Sequence, residues 1–202
     1  MNSQVNVSVV YYSATGTVAA IAREIAEAAG KAGAEVRLRK VAELAPRAAV
    51  DANPAWRANA DATAGVEVAT ADDLLWADAV IMGTPTRFGN VSSQLKQFLD
   101  TLGGVWHQGL LADKVYSGFT ATGTLHGGQE STLLALTQTF HHFGGIVVAP
   151  GYTHPDKFVD GNPYGTSHHD AGGTAAVDEV TRAAARVQAQ RVVRFARTVR
   201  AA

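Results

Sequence analysis

The sequence predicts an α/β protein built on a doubly wound, five-stranded parallel sheet with helices on both faces. Apolar segments short enough to be strands alternate along the chain with segments of helical periodicity. This alternation is typical of parallel sheets whose connecting helices cover both faces. The 202 residues are 47% hydrophobic and 17% charged, which is enough apolar material for a sizeable core. We therefore expect residues 1–202 to form a single domain.

Two strands and a helix open the chain. Residues 5–11 form an apolar run and are predicted to be the first strand. Apolar residues recur at spacings of three and four over residues 18–32, which predicts a helix that ends at Gly33. Residues 35–41 alternate charged and apolar side chains, as an edge strand does. Residues 42–70 are rich in Ala, Asn and Pro and have little periodicity, so we expect an excursion from the sheet.

The same alternation continues to the end of the chain. The predicted elements are a short helix at 71–76, a strand at 78–83, a helix at 93–103, a strand at 115–121, a helix at 129–143 and a strand at 146–149. A Gly-rich segment at residues 151–173 is predicted to be a long loop, and a helix of period 3.6 closes the chain. Ligands bind such sheets where the strands end, so the loops after the first, third and fourth strands are expected to form the site.

The loop after the first strand has the composition of a phosphate-binding turn. Small and hydroxyl-bearing residues surround the predicted helix N-terminus: Ser13, Ala14, Thr15, Gly16, Thr17 and Val18. Helix N-termini attract anions because their first N–H groups are unpaired. The segment matches neither the Walker A nor the G-x-G-x-x-G pattern, and it has no Lys or Arg. An ordinary helix start, with Thr17 as the N-cap, is the alternative interpretation.

Two further loops at the same predicted edge are rich in small residues. The loop after the third strand contains Pro85, Thr86, Arg87, Phe88, Gly89 and Asn90. The loop after the fourth strand contains Ala121, Thr122, Gly123, Thr124, Leu125 and His126. Gly and Pro favour fixed, exposed turns, and a flat, electron-rich ring bound there would meet many backbone N–H groups. Arg87 is expected to contact a ligand or a subunit interface.

Three motifs resemble those of the WrbA family of NAD(P)H:quinone oxidoreductases. They are G-T-P-T-R-F-G-N at residues 83–90, T-G-T-x-x-G-G-Q-E at residues 122–130 and N-P-Y-G at residues 162–165. The similarity covers essentially the whole chain. It implies a flavodoxin-like fold with strand order 2-1-3-4-5, FMN as cofactor, NADH or NADPH and a quinone as substrates, and a homotetramer. The choice between NADH and NADPH and the physiological quinone stay open.

The resemblance also implies roles for individual residues. The first loop would hold the FMN phosphate, and the other two loops would contact the isoalloxazine ring. His142 would lie near the flavin, with the neighbouring His141 as an alternative, although a histidine is also favourable at a helix C-terminus. Thr15, Trp106 and Tyr152 are candidates for substrate contact. Trp106 would line the space above the ring, or it could simply cap a helix end.

Two departures from the family pattern affect the first and third loops. Thr15 and Thr17 stand where the family usually has an aromatic residue and a histidine. Phosphate binding should survive this change, whereas the nicotinamide contact of that aromatic residue has no aromatic counterpart here. The third loop is one residue longer at Leu125 and His126, so it does not match the family residue by residue.

The implied reaction is a two-electron transfer. A hydride passes from NAD(P)H through FMN to a quinone, and both substrates use one stacking space, so ping-pong kinetics are expected. No side-chain nucleophile or base and no metal is required. The alternative is a flavodoxin-type electron carrier without its own turnover, although 18 acidic against 17 basic residues give no evident acidic docking surface. A protein that uses flavin only structurally, in regulation, is a second alternative.

Bulk composition argues against several other classes. The net charge of −1 favours neither nucleic acid nor an anionic membrane. Without cysteine the chain has neither disulfides nor thiolate catalysis. The adjacent His168, His169 and Asp170 lack a distant third ligand, so no metal site is expected. No apolar run approaches the roughly 18 residues of a membrane span, and no signal peptide is evident, so we expect a cytoplasmic protein.

Two segments without periodicity carry the evidence for assembly. Residues 42–70 and 151–173 contain four aromatic residues, Trp56, Tyr152, Phe158 and Tyr164. Long loops of this kind are usually functional or disordered, and aromatic side chains are typical anchors of subunit contacts. We therefore expect these segments to wall the flavin pocket of a neighbouring subunit.

Overall fold

The computed structural model describes residues 4–201 and contains the predicted parallel sheet. Its first strand, β1 (Asn6–Tyr11), pairs with β2 (Glu35–Lys40) on one side and with β3 (Ala79–Pro85) on the other. β3 pairs with β4 (Val115–Thr122), which in turn pairs with β5 (Ile146–Val147). All of these pairs are parallel, and the order β2-β1-β3-β4-β5 confirms the predicted strand order.

The fifth position of the sheet is divided between two short strands. β5 pairs with the start of β4, at Val115 and Tyr116, and β6 (Thr166–His169) pairs with its end. The sequence instead predicts one strand at residues 146–149 and a loop at residues 151–173, and this detail is wrong. β6 is polar throughout, so apolar patterning carries no signal for it.

Gln188 closes the gap between β5 and β6. It lies on the last helix, α9 (Glu179–Arg200), and its side chain is fully buried. Its Oε1 accepts from the Thr166 N–H (2.9 Å), and its Nε2 donates to Ser117 Oγ and to Gly118 O, both at 2.7 Å. Buried backbone groups need hydrogen-bond partners, and Gln188 supplies them where the fifth strand is interrupted.

Two apolar cores lie on opposite faces of the sheet. Val9 of β1 belongs to the core under α1 (Thr17–Lys31) and α9, whereas the next residue, Val10, belongs to the other core. That second face is covered by α4 (Ala71–Trp76), α5 (Ser93–Thr101) and α7 (Gln129–His142). The predicted helices on both faces are thus confirmed. None of the helices within residues 4–201 is long and apolar enough to cross a membrane.

The excursion at residues 42–70 contains two helices, α2 (Arg47–Asp51) and α3 (Pro54–Ala62). Asn53 is the N-cap of α3, since its side chain accepts from two backbone N–H groups of the first turn, at 3.1 and 3.2 Å. The excursion is thus helical rather than a long loop. The buried residue of α2 is Val50 and that of α3 is Asn59, so neither helix has the apolar stripe that would reveal it.

The segment between β5 and β6 is also ordered around a helix, α8 (Pro155–Asp160). The Lys157 ammonium is fully buried, forms an ion pair with Asp160 and donates to Gly165 O (3.2 Å). Burial lowers the pKa of Lys157 and raises that of Asp160, in each case against the attraction of the partner. A buried charge left without its partner is costly, so this pair fixes the fold of the segment.

Candidate functional site

The loops after β1, β3 and β4 converge where the strands end and surround a cleft of about 410 Å³. The segment that follows β6 closes another side of this cleft with Asp170, Gly172 and Gly173, and the start of α3 contributes Asn53 and Ala55. Of the residues predicted from the sequence, the following line the cleft: Ser13, Ala14, Thr15, Thr17, Val18, Pro85, Thr86, Arg87, Ala121, Thr122 and Gly123.

The first loop presents unpaired backbone N–H groups to the cleft. Gly16 is the N-cap of α1, with a φ of 105°, no side-chain cap and no acidic residue in the first turn. Within residues 4–201, the backbone N–H groups of Thr15, Thr17 and Val18 have no hydrogen-bond acceptor. The alternative in which Thr17 caps the helix is thus not observed. Unpaired donors at the positive end of a helix are suited to an anion.

Asn59 of α3 braces the first loop from behind. Its Nδ2 donates to Ser13 O at 2.8 Å and to Ala14 O at 3.0 Å, and the residue is buried. These bonds hold both carbonyl groups on the side of α3. Asn59 is not among the residues predicted from the sequence, because it lies 45 residues or more from the loop and nothing in the local pattern marks it.

Thr86 ties the second loop to the third. Its backbone N–H donates to Ala121 O (2.9 Å), and its hydroxyl donates to Gly127 O (3.2 Å). The two loops approach so closely that a Cβ on Gly128 would lie 2.8 Å from the Gly89 Cα atom. Side chains larger than hydrogen are therefore excluded at Gly128, and the relative position of the loops is fixed.

A tight turn projects Phe88 into solvent. Arg87 and Asn90 exchange backbone hydrogen bonds of 2.8 and 3.0 Å across Phe88 and Gly89, which have φ values of 53° and 77°. This is the left-handed geometry of a type I′ turn, and it costs a residue with a side chain about 1 kcal/mol. Phe88 is fully exposed and, with Asn90 and Trp56, lines a neighbouring groove of about 730 Å³ rather than the cleft.

Arg87 is the cation at the cleft. Its side chain is exposed and donates to Thr86 O (2.9 Å), and within residues 4–201 it has no carboxylate partner. It therefore remains free to meet an anion or a second protein surface. The remainder of the third loop, Thr124, Leu125 and His126, is exposed and lies outside the cleft.

Trp106 and His142 lie at the opposite edge of the sheet, where the strands begin. Trp106 is in α6 (Gly103–His107), and its indole N–H donates to His142 O (2.6 Å) at the end of α7. The same region precedes β4, because the Asp113 N–H donates to Gly144 O (3.2 Å). Parallel strands begin at one edge and end at the other, so neither residue lies at the cleft of its own chain.

Tyr152 also lies apart from the cleft, in the segment between β5 and β6. Its ring stacks on Phe158 with centroids 5.0 Å apart, and its hydroxyl donates to Gly161 O (2.9 Å). The two aromatic residues remain 49% and 68% exposed. Three of the predicted site residues therefore lie away from the cleft of their own chain: Trp106, His142 and Tyr152.

Asp170 is the one carboxylate among the described residues that line the cleft. Its Oδ2 accepts from the Thr17 hydroxyl at 3.0 Å. In the sequence, Asp170 stands out only as a possible metal ligand beside His168 and His169. The part of the chain that the structure describes contains no group of three or more His, Asp and Glu side chains arranged to hold a metal ion. Its position in the cleft could not be read from the sequence.

Comparison with known proteins identifies the family. The profile of the NADPH-dependent FMN reductase family matches residues 8–160. A protein from Deinococcus radiodurans named NAD(P)H dehydrogenase (quinone) is 48% identical over 168 residues, covering 83% of this chain and 84% of its own. One of the same name from Azorhizobium caulinodans is 40% identical over 196 residues, covering 94% and 96% of the two chains.

A solved structure supports the same assignment. The flavodoxin, WrbA-like protein from Agrobacterium tumefaciens superimposes with a TM-score of 0.69 at 26% identity, covering 96% of this chain and 99% of its own. The chain therefore belongs to the NADPH-dependent FMN reductase family, among the WrbA-like NAD(P)H dehydrogenases (quinone). The resemblance identified from the three sequence motifs, and the enzyme class that it implies, are confirmed.

Proposed function

We propose that this protein is an FMN-dependent NAD(P)H:quinone oxidoreductase with a ping-pong mechanism, as the sequence predicts. The observation that carries the proposal is the convergence of three loops on one cleft, with the unpaired N–H groups of α1 at its phosphate-binding end. The family and the names of its relatives supply the reaction class. The expectation of FMN rests on how well these loops suit its phosphate and its ring.

The first loop suits a terminal monophosphate. Thr15, Thr17 and Val18 line the cleft and have unpaired N–H groups, and the dipole of α1 favours a negative charge there. Behind the loop, Asn59 joins it directly to α3. We expect this loop to enclose a single terminal phosphate, and therefore FMN to bind more tightly than FAD.

The second and third loops suit the ring. FMN, when bound, supplies the two-electron chemistry. Backbone donors of the chain would stabilise negative charge on the pyrimidine end of the ring, and within residues 4–201 the N–H groups of Gly123 and Thr124 have no acceptor. Fixed dipoles of this kind need no reorganisation during reaction. Thr86 keeps the two loops at a constant separation.

We propose that NAD(P)H and the quinone occupy the same space over the ring in succession. Steady-state rates should then give parallel lines in double-reciprocal plots, because the first product leaves before the second substrate binds. Intersecting lines would indicate separate sites. A flavodoxin-type carrier is the alternative, and it would show little NADH oxidation with benzoquinone as acceptor.

We propose further that Trp106 and His142 act at the cleft of another subunit in a homotetramer. Each lies at the edge of the sheet remote from its own cleft, so the expected contacts with flavin and substrate require a second copy of the chain. Phe88 and Tyr152 are exposed aromatic residues of the kind that subunit contacts bury.

Fluorescence titration of the flavin-free chain with FMN and FAD tests the cofactor. Tight quenching by FMN and weaker binding of FAD is the expected result, and equal affinity would contradict the enclosed phosphate site. NADH oxidation by the FMN-loaded chain, followed with benzoquinone, tests turnover. Failure to bind either flavin would reject the proposed function altogether.

A further inference from the structure

The phosphate-binding end of the cleft already holds a negative charge. The Asp170 carboxylate lies at the N-terminus of α1, and its Oδ2 accepts a hydrogen bond from the Thr17 hydroxyl (3.0 Å). We infer that Asp170 competes with the FMN phosphate for Thr17 and thereby weakens the binding of FMN. This inference rests on the proposed function, because it names a specificity-determining residue of the same site.

Asp170 cannot easily turn away from the cleft. Its backbone N–H donates to Thr122 O (2.9 Å), which extends the pairing of β6 with β4, and its Oδ1 accepts from the Gly173 N–H (3.0 Å). The residues that follow, Ala171, Gly172 and Gly173, have successive positive φ values of 50°, 71° and 90°. The left-handed conformation is costly for Ala171, so the contacts of Asp170 hold this segment in place.

Two physical effects make the Asp170 carboxylate oppose the binding of the phosphate. The Thr17 hydroxyl has one proton, and directing it at Asp170 removes a hydrogen-bond donor from the loop that would bind the phosphate. The carboxylate also repels a second anion near Thr17, since the loop at residues 13–18 has no Lys or Arg, and the cation of the cleft, Arg87, belongs to the second loop. Riboflavin has the same ring and ribityl chain without the phosphate, so neither effect applies to it.

The central test is Asp170→Asn. The amide preserves the shape of the side chain and can accept from Thr17 or donate to a phosphate oxygen, but it carries no charge. We expect FMN to bind about tenfold more tightly to this variant, whereas riboflavin affinity should stay within about twofold of the wild type. Fluorescence quenching of each flavin by the flavin-free full-length chain gives both dissociation constants.

Asp113→Asn is the matched control. It changes the net charge by the same amount, lies at the far edge of the sheet and is exposed. Its φ of 60° is one that asparagine adopts readily. This variant should bind both flavins as the wild type does, which separates a local effect of Asp170 from a general change in charge.

Inorganic phosphate provides a readout that does not involve flavin. At equal phosphate concentration, the midpoint of thermal unfolding should rise further for flavin-free Asp170→Asn than for the wild type, because a ligand stabilises the state that binds it. If the wild type bound no flavin, the proposed function would fail, and the phosphate measurement would still decide the role of Asp170.

The inference is overturned if Asp170→Asn binds FMN no more tightly than the wild type, or if FMN and riboflavin affinities rise together. It is also overturned if phosphate stabilises both chains equally. Should Asp170→Asn fail to fold, as judged by circular dichroism, Asp170→Ser removes the same charge with a smaller side chain, and the same comparison of FMN with riboflavin applies.

Discussion

Glu43 joins three elements of the chain through one carboxylate. It accepts from the Tyr12 hydroxyl at the end of β1 (2.9 Å), from the Trp56 indole on α3 (3.1 Å) and from the Gln94 amide on α5 (2.9 Å). Two backbone N–H groups of its own segment add further bonds of 2.9 Å. Because α3 also carries Asn59, the hydrogen bonds of Glu43 help to hold Asn59 in position against the first loop.

The ionised form of Glu43 is the form that the fold stabilises. Burial raises the pKa of this carboxyl, but the surrounding hydrogen bonds outweigh it and hold the pKa below its ordinary value of 4.5. A group with a lowered pKa stabilises the fold fully above the pKa of the unfolded state. That contribution is lost as the pH falls through the lower pKa of the folded state.

Glu43→Gln should lower the free energy of unfolding by about 1 kcal/mol at pH 7, because the glutamine N–H groups would face the donors that now bind the carboxylate, in an exposed site that solvent screens. The difference from the wild type should shrink as the pH falls below 4.5. Urea unfolding between pH 7 and pH 3 measures it. Glu35→Gln is the control, since Glu35 is also exposed and, within residues 4–201, its carboxylate accepts no hydrogen bond. A difference that stays constant with pH would show that the charge of Glu43 has no part in the effect.

Asn59→Ala should weaken FMN binding about tenfold, because the Ser13 and Ala14 carbonyls lose their donor and the phosphate loop loses its fixed shape. Riboflavin affinity should change less, since it lacks the phosphate. Fluorescence titration with both flavins measures this. Ala58→Ser, an exposed change on the same helix, should leave both affinities unaltered. An equal loss for both flavins would indicate that Asn59 supports the cleft as a whole.

At the scale of elements, the sequence predicted the structures that are built from adjacent residues. The first loop could be recognised because its small residues, the strand before it and the helix after it are contiguous. Asn59 and Asp170 could not, because they reach that loop from 45 and 153 residues away along the chain. Contacts at such separations depend on packing that single-sequence patterns do not encode.

The divided fifth strand is a second case of this limit. Its two pieces, β5 and β6, are short. Gln188, a buried side chain on a helix distant in the sequence, supplies hydrogen bonds to the backbone at the gap between them. The sequence predicted the long helix that carries Gln188, but not that one polar residue would face the sheet. The order of the five main strands was accessible because the resemblance of the motifs implies it, whereas the alternation of strands and helices predicts a doubly wound parallel sheet without fixing the order.

Gln188→Leu should destabilise the fold by about 2 to 4 kcal/mol, because the Thr166 N–H and the Gly118 carbonyl would be buried without a partner. Equilibrium urea unfolding gives the value. Gln190→Leu, two residues away on α9 and exposed, makes the same substitution without that loss and should be nearly neutral. Equal effects of the two changes would mean that the gap between β5 and β6 is satisfied in another way.

For the whole molecule, the two edges of the sheet divide the proposed site. The cleft lies where the strands end, and Trp106 with His142 lies where they begin. If both groups act on one flavin, a single chain is incomplete and assembly is coupled to cofactor binding. Light scattering over a dilution series should then show that FMN shifts the protein towards the larger species. A monomer that is fully active at every concentration would contradict the shared site.

Mixed oligomers test the sharing of residues between subunits. Gly16→Val should disable the cleft, because Gly16 has a φ of 105° that residues with side chains rarely adopt. Trp106→Ala leaves the cleft intact and should mainly raise the KM for NAD(P)H or quinone.

The two variants are co-expressed with different tags and purified through both tags. They then form oligomers in which an intact cleft can meet an intact Trp106. Their quinone reductase activity per chain at low substrate should exceed that of either variant alone, because some sites are then complete. Activity equal to the average of the two parents would show that Trp106 does not act across a subunit boundary.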